Sequence, residues 1–337
     1  MRSLLAFFAA SILLASTTTT VHGVHIDPND IIKTIESECG DIIDCVDIYK
    51  QPSLKNPLLK DHKILFKPSV DRPKIVEKMV VLGGNNSFKF AEQAWHRSGR
   101  CLQTVFMMKL AIIIKNLESN SQGIYANPGK DPPNIDNQIA LGIAVYPQFF
   151  GDDLPRLYIY STNDGGVKLK CFNLECSFVQ TSKKHAIGAK YDKFSTVGGT
   201  TYFTHVVIYR DDGPAVWWVS LMDEPIGYFH ESAFAAPFIE SFHNEMGGHV
   251  LDRRPGGRHT LTPMGSGMYP SDGLQNAACI HAYLAIAYTG ADQVDDPVNT
   301  IVTHPKCYDI KGDGPDLYRP GINVAFGGPG GYDCDHN

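Results

Sequence analysis

The stretch "TYFTHVVIYRDDGPAVWWVSLMDEPIGYFH" (201–230) decides the fold class. Three of its runs, "TYFTHVVIYR", "AVWWVSLM" and "PIGYFH", are short and rich in β-branched and aromatic side chains. The turn-forming "RDDGP" separates the first two. Such text reads as antiparallel strands joined by tight turns. The pattern continues upstream in "IALGIAVYP" (139–147), "RLYIYST" (156–162) and "CSFVQT" (176–181), with "NDGG" as a turn. Downstream it continues in "GGHVLD" (247–252) and "HTLTPM" (259–264), separated by "RRPGG". Long amphipathic helical periodicity is scarce, while glycine (31) and proline (21) are plentiful, so helical folds are disfavoured. The prediction is an all-β protein, an antiparallel β-sandwich, preceded by a small N-terminal region.

The chain has 337 residues, enough for one large domain or two. A formal net charge of −6, with acids and bases mixed along the chain, offers no basic face for nucleic acid. At the N-terminus, "MRSLLAFFAASILLASTTTTVHG" (1–23) has a basic start, an apolar run and then small residues. This is the composition of a secretory signal peptide, so the protein is expected to be secreted. No later run approaches the ~18 apolar residues of a membrane helix, so the mature form is expected to have no membrane partner.

Residues 24–130 form a mixed pro-region and linker, and residues 131–337 the sandwich domain. "DPNDIIKTIESE" (27–38) opens with a capping signal and spaces Ile31, Ile32 and Ile35 as a helix would. The proline-punctuated "QPSLKNPLLKDHKILFKPSVDRP" (51–73) reads as extended and as laid on something larger. "TVFMMKLAIIIKNL" (104–117) fits a buried strand or a short helix equally well. "ESNSQGIYANPGKDPPNIDNQ" (118–138) has linker composition and offers a proteolytic site.

Export makes disulfides the default for the eight cysteines. Cys171 and Cys176 enclose a short loop and are expected to bridge locally; Cys307 and Cys334 are expected to pin the C-terminal tail. Cys45–Cys101 is the third expected bridge, which leaves Cys39 and Cys279 free. Asn85 begins an N-glycosylation sequon in a Gly/Asn-rich loop.

Several ordered stretches resemble the neprosin family of plant secreted proteins. "IIDCVDIYKQPSLKNPLLKDHKI" (42–64) and "WHRSGRC" (95–101) resemble its activation region. "VYPQFFGDDLPRLYIYSTNDG" (145–165), "CFNLECSFVQ" (171–180), "WWVSLMDEPIGYF" (217–229), "MGGHVLDRRPGGRHTLTPMGSGMYPSDG" (246–273) and "FGGPG" (326–330) resemble its sandwich motifs in order. The resemblance implies a β-sandwich glutamic peptidase that cuts at proline and uses no cofactor. It also implies two glutamates across a cleft, one activating water and one supporting the oxyanion. The first belongs to a strand of the form I-E-x-G-x-x-V-Y-P, and here its position is Ala140. The second belongs to W-G-G-E-V, and here its position is His249. Only 37 residues separate Cys101 from Ile139, where the resemblance implies several more strands.

Period-two alternation puts Ile139, Leu141 and Ile143 on a core face, and Ala140, Gly142 and Ala144 on a cleft floor. With Gly247, Gly248, His249, His259 and Met264 these make up the expected cleft. Alanine moves no proton. An imidazole with the ordinary pKa of about 6.5 is cationic at acid pH and cannot act as a base there. The expected activity is therefore none or impaired, with proline-containing peptides as the expected partner. The competing reading is a hydrolase that uses His249 or another acid, such as Glu245 or Glu231. A third reading is a metal site of His243, His249 and His259, although the first expectation is no metal. Ser266, in Gly-Ser-Gly, lacks the spacing of a nucleophile elbow. Trp217 and Trp218 read as core and cleft wall, and Asp152 and Asp153 as turn residues.

Overall fold

A computed structural model describes residues 26–37, 40–70, 89–90, 111–117, 136–166, 168, 170–175, 177–191, 193, 195–200, 202–234, 236–239, 241, 243–250, 260–273, 276–283, 285–286, 293–294, 300–315 and 321–334. Its strands, in chain order, begin with β1 (Ile31–Glu36), β2 (Ile42–Val46), β3 (Lys89–Phe90), β4 (Ala111–Leu117), β5 (Asp136–Ala144) and β6 (Arg156–Thr162). Then come β7 (Cys171–Phe172), β8 (Phe178–Gln180), β9 (Tyr202–Phe203), β10 (Val206–Asp211), β11 (Val216–Leu221) and β12 (Glu224–His230). The last are β13 (His243–Gly247), β14 (Ala278–Tyr283), β15 (Ala285–Ile286), β16 (Gln293–Val294), β17 (Asp309–Pro315) and β18 (Ile322–Gly327). One short α-helical turn, α1 (Pro147–Phe150), is the only one among the described residues. No helix there is long and apolar enough to cross a membrane. The protein is all-β, and apart from the two-residue β3–β9 pair every ladder is antiparallel.

Two sheets make the sandwich. The first runs β13-β4-β5-β6-β7 and the second β10-β11-β12-β8. Their facing sides share one core. Ile139, Leu141, Ile143, Leu157 and Ile159 come from the first sheet, and Phe178, Trp217, Val219, Leu221, Ile226 and Phe229 from the second. Alternation explains the selection. A strand that buries one face must place its large apolar residues two apart. The adjacent tryptophans divide accordingly. Trp217 enters this core, and its indole N–H donates to the Phe238 carbonyl at 2.7 Å. Trp218 points to the outer face and is fully buried there, so it is no cleft wall.

The N-terminal segment covers that outer face. Leu59 and Ile64 pack against Val179, Tyr209, Val216, Trp218 and Tyr228. The Gln51 carboxamide stands in for a missing strand at the edge of β8: its Oε1 accepts from the Gln180 N–H at 2.8 Å, and its Nε2 donates to the Gln180 carbonyl at 3.3 Å. Among its described residues the buried apolar side chains, Leu59 and Ile64, both pack on the sandwich. A third sheet, β14-β18-β17, closes around a smaller cluster of Ala278, Ile280 and Phe326, with Met246 and Met264 against it.

Three sequence expectations need correction. "DPNDIIKTIESE" forms β1, not a helix. Ile31, Ile32, Thr34 and Ile35 are β-branched and stiff, and β1 pairs in register with β2. Residues 48–59 are not extended but make three short 3-10 turns, two of them opened by Pro52 and Pro57. Proline's fixed φ and missing N–H suit the first position of such a turn. "GGHVLD" and "HTLTPM" are not strands over their described residues. The strand ends at Gly247, and of the second run only Met264 forms an isolated bridge, to Gly328. The ambiguous 104–117 run is resolved over its described part as β4, the strand between β13 and β5.

Among the cysteines, Cys307 and Cys334 are bridged, with Cα atoms 5.2 Å apart, and Cys171 is disulfide-bonded. Cys45 is a free thiol, so the expected Cys45–Cys101 bridge is not formed. The residue sits within β2, whose ladder with β1 fixes its backbone opposite Lys33; a bridge would need a partner Cα within about 7 Å. Cys279 is free and buried, and burial pushes its thiol up to about 12, which keeps it protonated and unreactive. Cys39, Cys101, Cys176 and the Asn85 sequon lie outside the described residues.

Candidate functional site

The site is best built from β5, the middle strand of its sheet. Its inward residues are large, so the outward ones can be small without loss of core. Ala140, Gly142 and Ala144 line the outward face. They are no open floor, because Ala140 is 4% and Ala144 9% exposed. Directly opposite residues in adjacent strands share a face, so the register extends this face across the sheet. One row runs Glu245, Ile113, Ala140, Tyr160, Phe172. The next runs Gly247, Ala111, Gly142, Tyr158. At the end of β5, Ala144 faces Arg156.

β13 brings the second expected position close to this face but not onto it. Gly247 is the strand's last residue, with φ +145°. That backbone suits glycine and turns the chain away from the ladder. Gly248 then presses into the third sheet's cluster, where an added Cβ would come within 2.5 Å of the Met264 sulfur and 2.7 Å of Phe326. His249 follows, exposed, two residues beyond the strand. Gly248 and Met264 are thus together, and Gly142 and Gly247 share a row two strands apart. His259 lies outside the described residues.

Rings flank the Ala140 row. Tyr160 and Phe172 lie 5.1 Å apart between centroids, Phe172 and Phe149 5.6 Å, and Tyr146 stacks on Phe149 at 5.9 Å. These four half-buried rings form a continuous aromatic shelf. The motif "VYPQFF" holds two of the four rings, Tyr146 and Phe149, but only the register reveals that Tyr160 and Phe172 continue the shelf.

At the Ala144 end a charged cluster forms. Arg156 donates to Asp152 (Nε to Oδ1 3.1 Å), to Asp41 (Nη2 to Oδ1 2.7 Å) and to the Gly188 carbonyl (2.8 Å). Its guanidinium also lies 5.4 Å from the centre of the Phe150 ring. Burial pushes Asp152 up, but the hydrogen bond and charge of Arg156 outweigh it and hold the carboxyl below its ordinary value. Asp152 is therefore more than a turn residue.

The other candidates are placed elsewhere. Glu231 ion-pairs with Arg210, which also donates to the Phe238 carbonyl at 3.0 Å. It neutralises a cation that lies over the Trp217 ring on the inward side of the second sheet, and its ladder is not that of Ala140. Ser266 Oγ donates to the Asn276 carbonyl at 2.5 Å and accepts the Met268 N–H at 3.3 Å, a turn-stabilising role. Among the described residues no group of three His, Cys, Asp or Glu side chains could hold a metal.

This arrangement meets its relatives in two matches. Residues 116–329 match the family model for Neprosin, and residues 34–113 match the model for the Neprosin activation peptide. The chain belongs to the neprosin family, whose members include prolyl endopeptidases. The boundary between the two matches falls at β4, so a strand of the first sheet straddles it.

Proposed function

We propose that this chain is a secreted neprosin-domain protein that holds proline-containing peptides without cutting them. The observation that carries this reading is Ala140. It stands at the centre of the middle strand, in the position where the resemblance puts a glutamate, and a methyl group can neither take a proton from water nor give one to a leaving nitrogen. His249, at the partner position, is displaced beyond the end of β13. The aromatic shelf supports retained binding. Extended proline-rich segments are pre-ordered and dock on aromatic-lined grooves. Secretion rests on the leader-like composition of residues 1–23.

A second reading has one observation in its favour: Glu245 occupies the same row as Ala140, two strands away. At 4.7–4.9 Å per strand that is about 9–10 Å between backbones, which sets Glu245 across that face from the position where the resemblance puts the first acid. One experiment separates the readings. A proline-containing decapeptide is incubated with the protein, binding is followed by anisotropy, and the peptide is recovered for mass analysis. Saturable binding with intact peptide, weakened about tenfold by Tyr160→Ala, supports the proposal. Cleavage that Glu245→Gln abolishes supports the hydrolase, and an unbound peptide removes the binding claim.

A further inference from the structure

Asp41 is the most unusual residue of the N-terminal segment. It sits at the tip of the β1–β2 ribbon, where Ser37 and Asp41 exchange hydrogen bonds and close the turn. β1 and β2 pair with each other and with no other described strand. A two-stranded ribbon has little stability alone, yet its tip carboxylate is among the most enclosed charges of the molecule. The Asp41 side chain is 11% exposed, and those of Arg156 and Lys190 are each 10% exposed.

Three hydrogen-bond donors and one further cation converge on its two oxygens. Arg156 reaches Oδ1 through Nη2 at 2.7 Å and Oδ2 through Nη1 at 3.2 Å, the bidentate fork characteristic of carboxylate recognition. The Lys190 N–H donates to Oδ2 at 3.2 Å, and its ammonium lies 3.6 Å from Oδ1. The fork is held without Asp41's help: Gly188, Asp152 and the Phe150 ring all fix the guanidinium from within the sandwich. Charge points the same way. Arg156 and Lys190 contribute two positive charges and Asp152 one negative, so the sandwich alone leaves an enclosed excess of one positive charge. Such a charge is costly unless an anion meets it. Asp41, 115 residues distant in sequence, supplies that anion.

We propose that Arg156 and Lys190 form a carboxylate-binding subsite, and that Asp41 occupies it as an internal stand-in for a ligand carboxylate. The ligand group is a peptide C-terminus or an acidic side chain. Arg156 is in register with Ala144, so the subsite terminates the Ala140–Gly142–Ala144 line. The subsite lies about 13 Å along β5 from Ala140 at the rise of an extended strand. The subsite does not depend on whether that face recognises proline.

The test uses the full chain as Asp41→Ala and as the isosteric Asp41→Asn, and reads thermal stability and calorimetric binding at pH 7. Probes are acetate against chloride at equal ionic strength, acetyl-dialanine as acid and as amide, and acetyl-aspartyl amide. Acetate is expected to raise the Tm of both variants and leave wild type unmoved. The acid probe is expected to bind the variants at least about tenfold more tightly than its amide, with Lys190→Ala in the Asp41→Asn chain lowering that preference. Preference for acetyl-dialanine or for acetyl-aspartyl amide identifies the carboxylate source. Variants that treat acetate as chloride and acid as amide would reduce the cluster to a structural ion pair and overturn the proposal. Wild type binding the acid as tightly as the variants do would overturn the stand-in role.

Discussion

The outer faces of the two sheets are built on the same alternating pattern and have opposite fates. On the second sheet the outward residues are large: Val179, Tyr209, Val216, Trp218 and Tyr228. The N-terminal segment lies over them and turns the face into a second core. On the first sheet the outward residues of the middle strand are alanine, glycine and alanine, and the neighbours are tyrosines and an arginine. The first kind of face holds a segment by apolar area. The second carries small residues flanked by rings and ended by a charged cluster, with no acid at Ala140, Gly142 or Ala144.

The largest effect tests the covered face. Trp218→Ala should cost about 3–5 kcal/mol in denaturant unfolding, as expected when a fully buried indole is truncated. Leu59→Ala should cost about 2–4 kcal/mol although Leu59 lies in the N-terminal segment. A loss below about 0.5 kcal/mol at Leu59 would mean that the segment is a loose attachment and the comparison fails. Gly248→Ala should cost about 1–3 kcal/mol, because its methyl would overlap Met264 and Phe326; an unchanged midpoint would show that this junction yields easily.

The smallest effect is a pH dependence at the segment's edge. His62 Nε2 lies 2.6 Å from the Tyr228 hydroxyl, and its ring is 4.7 Å from that of His230. Burial, then the charge of His230, holds the His62 imidazole below 6.5. Burial also lowers His230, with Glu231 opposing and Arg210 assisting. The unfolded chain therefore takes up protons first as pH falls. Stability from this pair is complete above about 6.5 and is lost as pH drops through the depressed folded values. His62→Gln should flatten the fall of Tm between neutral and mildly acid pH; an identical slope in the variant would locate the acid sensitivity elsewhere.

Much of this was legible before any coordinates. The strands at 139–144, 156–162, 206–211, 216–221 and 224–230 announce themselves by composition and turns, and the inward set Ile139, Leu141, Ile143 follows from period two alone; residues 136–138, read as the end of a linker, instead open β5. The two displaced acid positions follow from motif text. What could not be read was pairing. That Glu245 shares a row with Ala140, or that Tyr160 and Phe172 continue a shelf begun at Tyr146, depends on which strands lie side by side, and local periodicity is silent on that. The helix expected at 27–38 failed because spacing at Ile31, Ile32 and Ile35 fits either period, and the partner strand 42–46 settled it. The tie between Asp41 and Arg156 crosses 115 residues and has no local signature.

The central claim is a peptidase fold without peptidase chemistry, and turnover tests it most directly. Purified protein is assayed with a quenched fluorogenic proline peptide from acidic to neutral pH, alongside His249→Ala, Glu245→Gln and the double variant Ala140→Glu/His249→Glu. The account predicts that wild type and both single variants release no fluorophore above the enzyme-free blank at any pH. Wild-type turnover that His249→Ala or Glu245→Gln abolishes would contradict it.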